Sequence, residues 1–191
     1  MSKFLLCIFL IFVSYTISAQ EAPLGIRAGA NFSTIAGDAE NVSPKLGGHI
    51  GIFSVLPLSE KFSINPELSV SNQGAKSSDN REISFSFWYI NAPILLKYQN
   101  NSSFFLNTGI QFGTVFTANY KESNQKENIT AQLENFDFAL ALGLGYEISK
   151  YGSLELRYNH GFSNYSRTTG VNGEKFFNRV IQFSFAYVIF K

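Results

Sequence analysis

Between residues 136 and 162 the chain alternates apolar and polar positions with a period of two. Phe136, Phe138, Leu140, Leu142, Leu144, Tyr146 and Ile148 take every second place, with Asp137, Ala139, Ala141, Gly143, Gly145 and Glu147 between them. After a turn at 149–152 the alternation resumes, with Leu154, Leu156, Tyr158 and Phe162 set against Glu155, Arg157, Asn159 and Ser163. Residues two apart on a helix lie about 200° apart, so a helix would scatter these leucines around its circumference. It would also carry two destabilising interior glycines. The pattern predicts a β-hairpin. At about 3.3 Å per residue and a tilt of about 45°, a strand of this length rises roughly 30 Å, enough to cross the hydrocarbon of a bilayer.

The same period recurs along the rest of the chain. In 24–32, Leu24, Ile26, Ala28, Ala30 and Phe32 oppose Gly25, Arg27, Gly29 and Asn31. The stretch 47–56 has Ile50 and Ile52 on one face and Phe53 and Val55 on the other, so its phase is not assignable. From Phe62 the run Phe62, Ile64, Pro66, Leu68 and Val70 includes a proline, which predicts a local irregularity. In 85–98, Phe85 and Phe87 follow one phase and Trp88, Ile90, Ile94, Leu96 and Tyr98 the other, which predicts a bulge near Trp88 or a part projecting beyond the membrane. Residues 103–120 place Phe104, Leu106, Ile110, Phe112, Phe116 and Tyr120 on one face. From Asn178 onward Ile181, Phe183, Phe185, Tyr187 and Ile189 stay in phase. About eight strands result, joined by polar loops at 35–45, 74–82, 121–134 and 166–175 that alternate with tight turns at 57–61, 99–102 and 149–152. No helix of useful length and no second domain intervenes. Short turns on one side and long loops on the other, with an even strand number, predict an all-β, eight-stranded antiparallel up-and-down transmembrane barrel over 20–191.

Composition supports the membrane assignment. Charged residues are 15% of the chain against roughly 25% in ordinary soluble domains, so water-soluble surface is scarce. A lipocalin-like soluble carrier also has about eight strands, but its outer face would need Lys and Glu, whereas here the polar phase is mostly Gly, Ala, Ser, Asn and Gln. Tyr98, Tyr146, Tyr158 and Tyr187 fall near strand ends on the apolar phase, where interfacial girdles belong. Residues 1–19 have the form of a cleaved signal peptide: Lys3, an apolar run from Phe4 to Val13, and Ser18-Ala19 before Gln20. The only cysteine, Cys7, lies inside that run, which excludes disulfides, thiolate metal sites and a cysteine nucleophile from the mature chain. A net charge of +1, with Lys and Arg scattered, gives no reason to expect nucleic acid.

Arg27, Glu67, Lys97, Glu147, Glu155 and Arg157 lie on the inward phase near the short-turn end. Three are positive and three negative, which predicts an ion-paired cluster filling that half of the lumen, since buried charges need partners.

These strand phrases also carry a family resemblance. Gly25 to Ser33 followed by Gly37-Asp38, Pro66-Glu67-Leu68 with Gln73 to Lys76, and Pro93 to Lys97 resemble the outer-membrane β-barrel proteins called porin family, PorT-like. The segments 109–113 and 138–147, then 156–159 and Asn178-Arg179, complete the likeness. The resemblance implies an outer-membrane location in a Gram-negative cell and an eight-stranded barrel, most members having no assigned activity. PorT itself is associated with protein export by the type IX route, a role these barrel phrases do not carry over. An eight-stranded barrel is filled by its own side chains, so general diffusion is not expected. The implied surroundings are outer-membrane lipids, lipopolysaccharide and the barrel-assembly machinery, with the protein a monomer.

No catalytic, cofactor or metal site is expected. His160 and Ser163 are three apart, on opposite faces of a strand, and His49, the other histidine, has no ligand cluster at metal-binding spacing. Two functional classes remain: a structural or interaction barrel working through external loops, and a barrel that binds a small solute or lipid in a cavity beneath them.

Overall fold

In a computed structural model the described residues are 22–80, 82–164 and 174–190. The expected signal segment with Cys7 and its cleavage point after Ala19 lies outside them, as do Gly170, Gly173 and Lys191. Ten strands follow one another: β1 (Leu24–Gly37), β2 (Val42–Ser54), β3 (Leu56–Pro57), β4 (Phe62–Ser77), β5 (Ile83–Gln99), β6 (Phe104–Glu122), β7 (Gln125–Asn128), β8 (Phe136–Glu147), β9 (Gly152–Gly161) and β10 (Phe176–Phe190). Eight of them form a closed antiparallel ring in chain order, β1-β2-β4-β5-β6-β8-β9-β10, with β10 returning to pair with β1. The short β3 prolongs β2 along β4, and β7 doubles back on the end of β6. Closure removes every long sheet edge, which a bilayer requires because it supplies no water to unpaired backbone groups.

The alternation sets the two surfaces. On β8, Leu140, Leu142 and Leu144 are exposed while Asp137, Ala139 and Ala141 are buried, the reverse of a water-soluble protein. Leu142 is 60% exposed and Phe183 51%, in an apolar belt that continues round the barrel. An aromatic girdle marks the short-turn end, where Phe62 meets Tyr98 at 5.1 Å, Phe104 meets Tyr146 at 4.9 Å and Tyr151 meets Tyr187 at 6.3 Å between ring centroids. In β2, Ile50 and Ile52 take the lipid side and Phe53 turns inward, which assigns the phase that alternation alone leaves open.

Some expectations need correction. The polar stretches 35–45 and 74–82 are not long loops: β1 runs to Gly37, β2 begins at Val42, β4 runs to Ser77 and β5 begins at Ile83. Polar residues there continue the ladder beyond the hydrocarbon, where the outer face no longer needs apolar side chains while Ile35 and Ala75 stay packed inside, and the apolar alternation stops marking the strand. The register does shift at Trp88, as one of the two readings expected, but the extra residue lies on β6. The change of pattern along β5 itself comes from the part that projects beyond the hydrocarbon. Trp88 pairs with Thr117 but Tyr89 pairs with Val115, so Phe116 is the extra residue of a bulge. On β5 the phase never changes: Phe87, Tyr89 and Asn91 are all buried inside, and Trp88 and Ile90 face out. Past the bulge β6 is turned over, so Ala118 is buried and Tyr120 packs on the inner cluster instead of following the lipid face.

That inner cluster closes the external end of the barrel with Ile35, Phe87, Tyr89, Val115, Ile129 and Leu133. The expected polar loop 121–134 is therefore partly built structure. After β7 the chain forms a single 3₁₀ turn (Thr130–Gln132) that folds back over the mouth. Ile129 N–H donates to Ala118 O at 2.9 Å, Ala118 N–H donates to Thr130 Oγ1 at 2.8 Å, and Val115 N–H donates to Asn135 O at 2.8 Å. These bonds satisfy the backbone groups of β6 left between its ladder with β8 and its ladder with β7.

Candidate functional site: the charged ring in the lumen

Inward positions on β1, β4 and β9 bring four charged side chains to one level of the lumen. Arg27 Nε lies 2.5 Å from Glu67 Oε1, and Arg27 Nη1 donates to Glu155 Oε2 at 2.6 Å. Arg157 Nη1 donates to Glu67 Oε2 and Arg157 Nε to Glu155 Oε1, both at 2.7 Å. Each arginine thus touches both glutamates and each glutamate both arginines, a closed ring of two positive and two negative charges. All four residues are buried. Burial of such charges is costly, so their stability here rests on full pairing and on the hydrogen bonds around them. Asn107 Nδ2 donates to Glu155 Oε2 at 3.0 Å, and the Arg27 guanidinium stacks over the Phe53 ring at 5.3 Å. The wall is shaped to admit the ring: a Cβ on Gly143 would lie 2.9 Å from Glu155 Oε1.

Lys97 and Glu147, the other two residues of the expected cluster, stand apart. They pair with each other at 2.7 Å nearer the short-turn end, with Lys97 Nζ 4.2 Å from the Phe105 ring centroid. Six residues read from alternation as one cluster are a ring of four and a separate pair.

Above the ring lies a belt of polar groups of which sequence reasoning singles out His49 alone. His49 bonds Asn31 Oδ1 through Nδ1 at 2.7 Å and Ser184 Oγ through Nε2 at 2.9 Å. Gln182 Nε2 donates to Asn31 Oδ1 at 3.0 Å, and Asn159 Nδ2 to Gln182 Oε1 at 2.9 Å. Asn31 Nδ2 and Gln73 Nε2 each donate to Ser71 Oγ at 2.9 Å, and Asn178 donates to Gln73. The available signal was the run of inward-phase Asn, Gln, Ser and His on five different strands. Its meaning depends on which strands are neighbours.

Ring and belt leave little space. The cavity bounded by Arg27, His49, Glu67, Gln111, Arg157 and Gln182 is about 10 Å³, around the limit for one water. Below it, a vestibule of about 180 Å³ opens at the short-turn end beside Lys97 and Glu147. Above, the external cup holds about 450 Å³ between Ile35, Val42, Phe85, Phe87, Leu133 and Phe176.

The remaining candidates lie elsewhere. His160 is on the outer face, its Nδ1 3.2 Å from the Tyr158 hydroxyl and its ring 4.9 Å from that of Phe162. Ser163 Oγ accepts the Phe138 N–H at 2.9 Å, so the two side chains serve separate local contacts. Among the described residues no group of three or more His, Cys, Asp or Glu side chains is placed to hold a metal ion.

Comparison with solved structures finds the same architecture at low identity. Neisserial surface protein A is 9% identical with a TM-score of 0.64, covering 88% of this chain and 99% of its own. Ail, the attachment invasion locus protein of Yersinia pestis, is 14% identical with a TM-score of 0.53, covering 89% of this chain and 100% of its own. At these identities the likeness concerns the fold. No curated protein matches the sequence significantly. A family model, however, matches residues 18–167, most of the chain, under the description outer membrane protein beta-barrel domain. That match supports the barrel family but not the narrower PorT-like assignment. With a closed eight-stranded ring, a lipid-facing apolar belt and this family match, the chain is an outer-membrane protein and belongs to the outer membrane protein β-barrel domain family.

Proposed function

We propose that the protein is a sealed outer-membrane barrel that acts in a structural or interaction role at its external end, without catalysis and without serving as a general diffusion pore. The observation that carries this reading is the Arg27–Glu67–Arg157–Glu155 ring, which spans the lumen with a residual cavity of about 10 Å³. A gate would need a second arrangement of these side chains, and each already has its full set of charged partners. Planar-bilayer recording of the purified protein tests the reading: brief or no current is expected, and a large steady conductance contradicts it.

The external cup favours a second reading, binding of a small apolar solute or lipid. Its wall is apolar, and its opening is bordered by Asp38, Glu40 and Gln132. Under this reading Leu133→Asp should weaken binding of an environment-sensitive apolar dye at least about tenfold, because a carboxylate in such a wall costs well over 1.4 kcal/mol. Equal dye binding by the variant and the parent protein would leave the external surface, rather than the cup, as the working part.

A further inference from the structure

Lysines that lie scattered along the sequence are gathered by the strand registers. Ser43 pairs with Lys76, Lys76 with Ser84, Ser84 with Lys121, and Lys121 with Lys126. Directly opposed residues share a face of the sheet, so these five form one transverse row across β2, β4, β5, β6 and β7. Its face is set by Trp88, which is outward and 40% exposed. Trp88 pairs with Asn72 and Thr117, four positions below Lys76 and Lys121 on their own strands and in the same phase. The row is on the outer wall.

Charge is sorted between the two faces. Glu122 and Glu127, each next in sequence to a lysine of the row, take the opposite phase, and Tyr120 of that phase donates its hydroxyl to Glu122 Oε2 at 2.8 Å. Lys76, Lys121 and Lys126 are exposed, and none takes part in the ion pairs found among the described residues. One carboxylate, Glu82, borders the shallow outer surface formed with Lys76, Ser84 and Lys121. Lys45 adds a further cation nearby, donating to Asn72 Oδ1 at 2.5 Å.

The height of the row identifies what it meets. A lipid-facing tryptophan marks the head-group level. Four residues along a strand tilted about 45° rise roughly 9 Å, and lysine stems bend to keep their ammonium groups in the polar zone. Between Trp88 and the lysines the same face carries the neutral Gly74, Ser86, Asn119 and Asn128. We propose that Lys76, Lys121 and Lys126, with Ser43 and Ser84 as hydroxyl donors, form a binding surface for phosphate-bearing lipid head groups of the external leaflet. The lysines supply point charges that phosphate accepts from several directions. The inference rests on the membrane orientation of the barrel and is independent of whether the lumen conducts.

Trp88 is the only tryptophan of the chain, and it sits beneath the row, so it reports on the lipid there. The folded protein is reconstituted in phosphatidylcholine vesicles containing either phosphatidic acid or phosphatidylcholine with brominated chains, which quench nearby tryptophan. Brominated phosphatidic acid should associate at Trp88 about fivefold or more over brominated phosphatidylcholine, the scale set by roughly fivefold for each lysine that engages an anionic surface. K76Q/K121Q/K126Q should bring the ratio to near one. K76R/K121R/K126R and K61Q/K150Q, the latter removing two charges at the short-turn end, should keep it. No preference in the parent protein overturns the proposal, as does a preference that survives in the glutamine triple variant. Equal loss in K61Q/K150Q would trace the effect to net charge, and abolition by inorganic phosphate would make the row a small-anion site; either result also overturns it. Should the triple variant fail to insert, K76Q and K121Q singly must each lower the ratio, and unchanged ratios in both overturn it.

Discussion

Replacing Glu155 by glutamine is expected to destabilise the folded barrel by about 3–5 kcal/mol, the cost of breaking a buried ion pair while its partners stay charged. Glu155 contacts both Arg27 and Arg157 and accepts a further bond from Asn107. Without its charge, two guanidinium groups are left against Glu67 alone. The double variant R27M/E155L removes one charge of each sign and keeps the Glu67–Arg157 pair, so it should cost less than E155Q despite altering two residues. This ordering separates charge balance from packing, because a packing effect would grow with the number of changes. Urea unfolding in phosphatidylcholine vesicles measures both. If E155Q lies within about 0.5 kcal/mol of the parent protein, as substitutions outside special sites do, the ring has no structural weight.

The ring was legible in the sequence because its members obey the period. Arg27, Glu155 and Arg157 lie where their strands read unambiguously, and Glu67 keeps its phase because the strand runs through Pro66 without the expected irregularity. A charge on the inward phase of a membrane strand has few places to go. What alternation cannot supply is neighbourhood across strands. Lys97 and Glu147 share the phase and the same end of the barrel, yet they pair with each other because of where their strands bring them. The lysine row shows the same limit from the other side. Lys76, Lys121 and Lys126 look dispersed until the registers of β4, β5, β6 and β7 set them side by side.

A second loss of legibility occurs where the solvent changes. Within the bilayer an apolar side chain faces out, so Leu140 and Leu142 are read correctly. Above it an apolar side chain packs inward, so Phe85, Phe87 and Tyr120 obey the opposite rule. The change of rule falls near the Phe116 bulge, and the sequence shows it only as a phase break around Trp88. Ile129 and Leu133 were hidden because they stand alone in a charged stretch. Two apolar residues four apart between polar neighbours were the available sign that this loop folds back onto the mouth.

The direction of the two faces is open to a test of comparable size. Leu142 lies near the middle of β8, between Thr108 of β6 and Tyr158 of β9, and is 60% exposed. Placed at the bilayer midplane, Leu142→Arg should destabilise the protein by about 2–4 kcal/mol, because the guanidinium must enter hydrocarbon or deform the bilayer around it. Tyr146 is on the same strand and the same face, four residues toward the short-turn end, and belongs to the girdle that meets the head groups. Tyr146→Arg should therefore cost only about 0–1 kcal/mol. A soluble barrel with its apolar face turned inward would pay for arginine at both positions by lost packing, and one with that face in water would gain solubility at both. The contrast along a single strand is thus specific to a membrane belt of finite height. Equal effects of the two substitutions in vesicle unfolding would mean that depth in a bilayer does not govern this surface. A large effect at Tyr146 with a small one at Leu142 would place the belt nearer the short-turn end than the girdle of Tyr98, Tyr146 and Tyr187 allows.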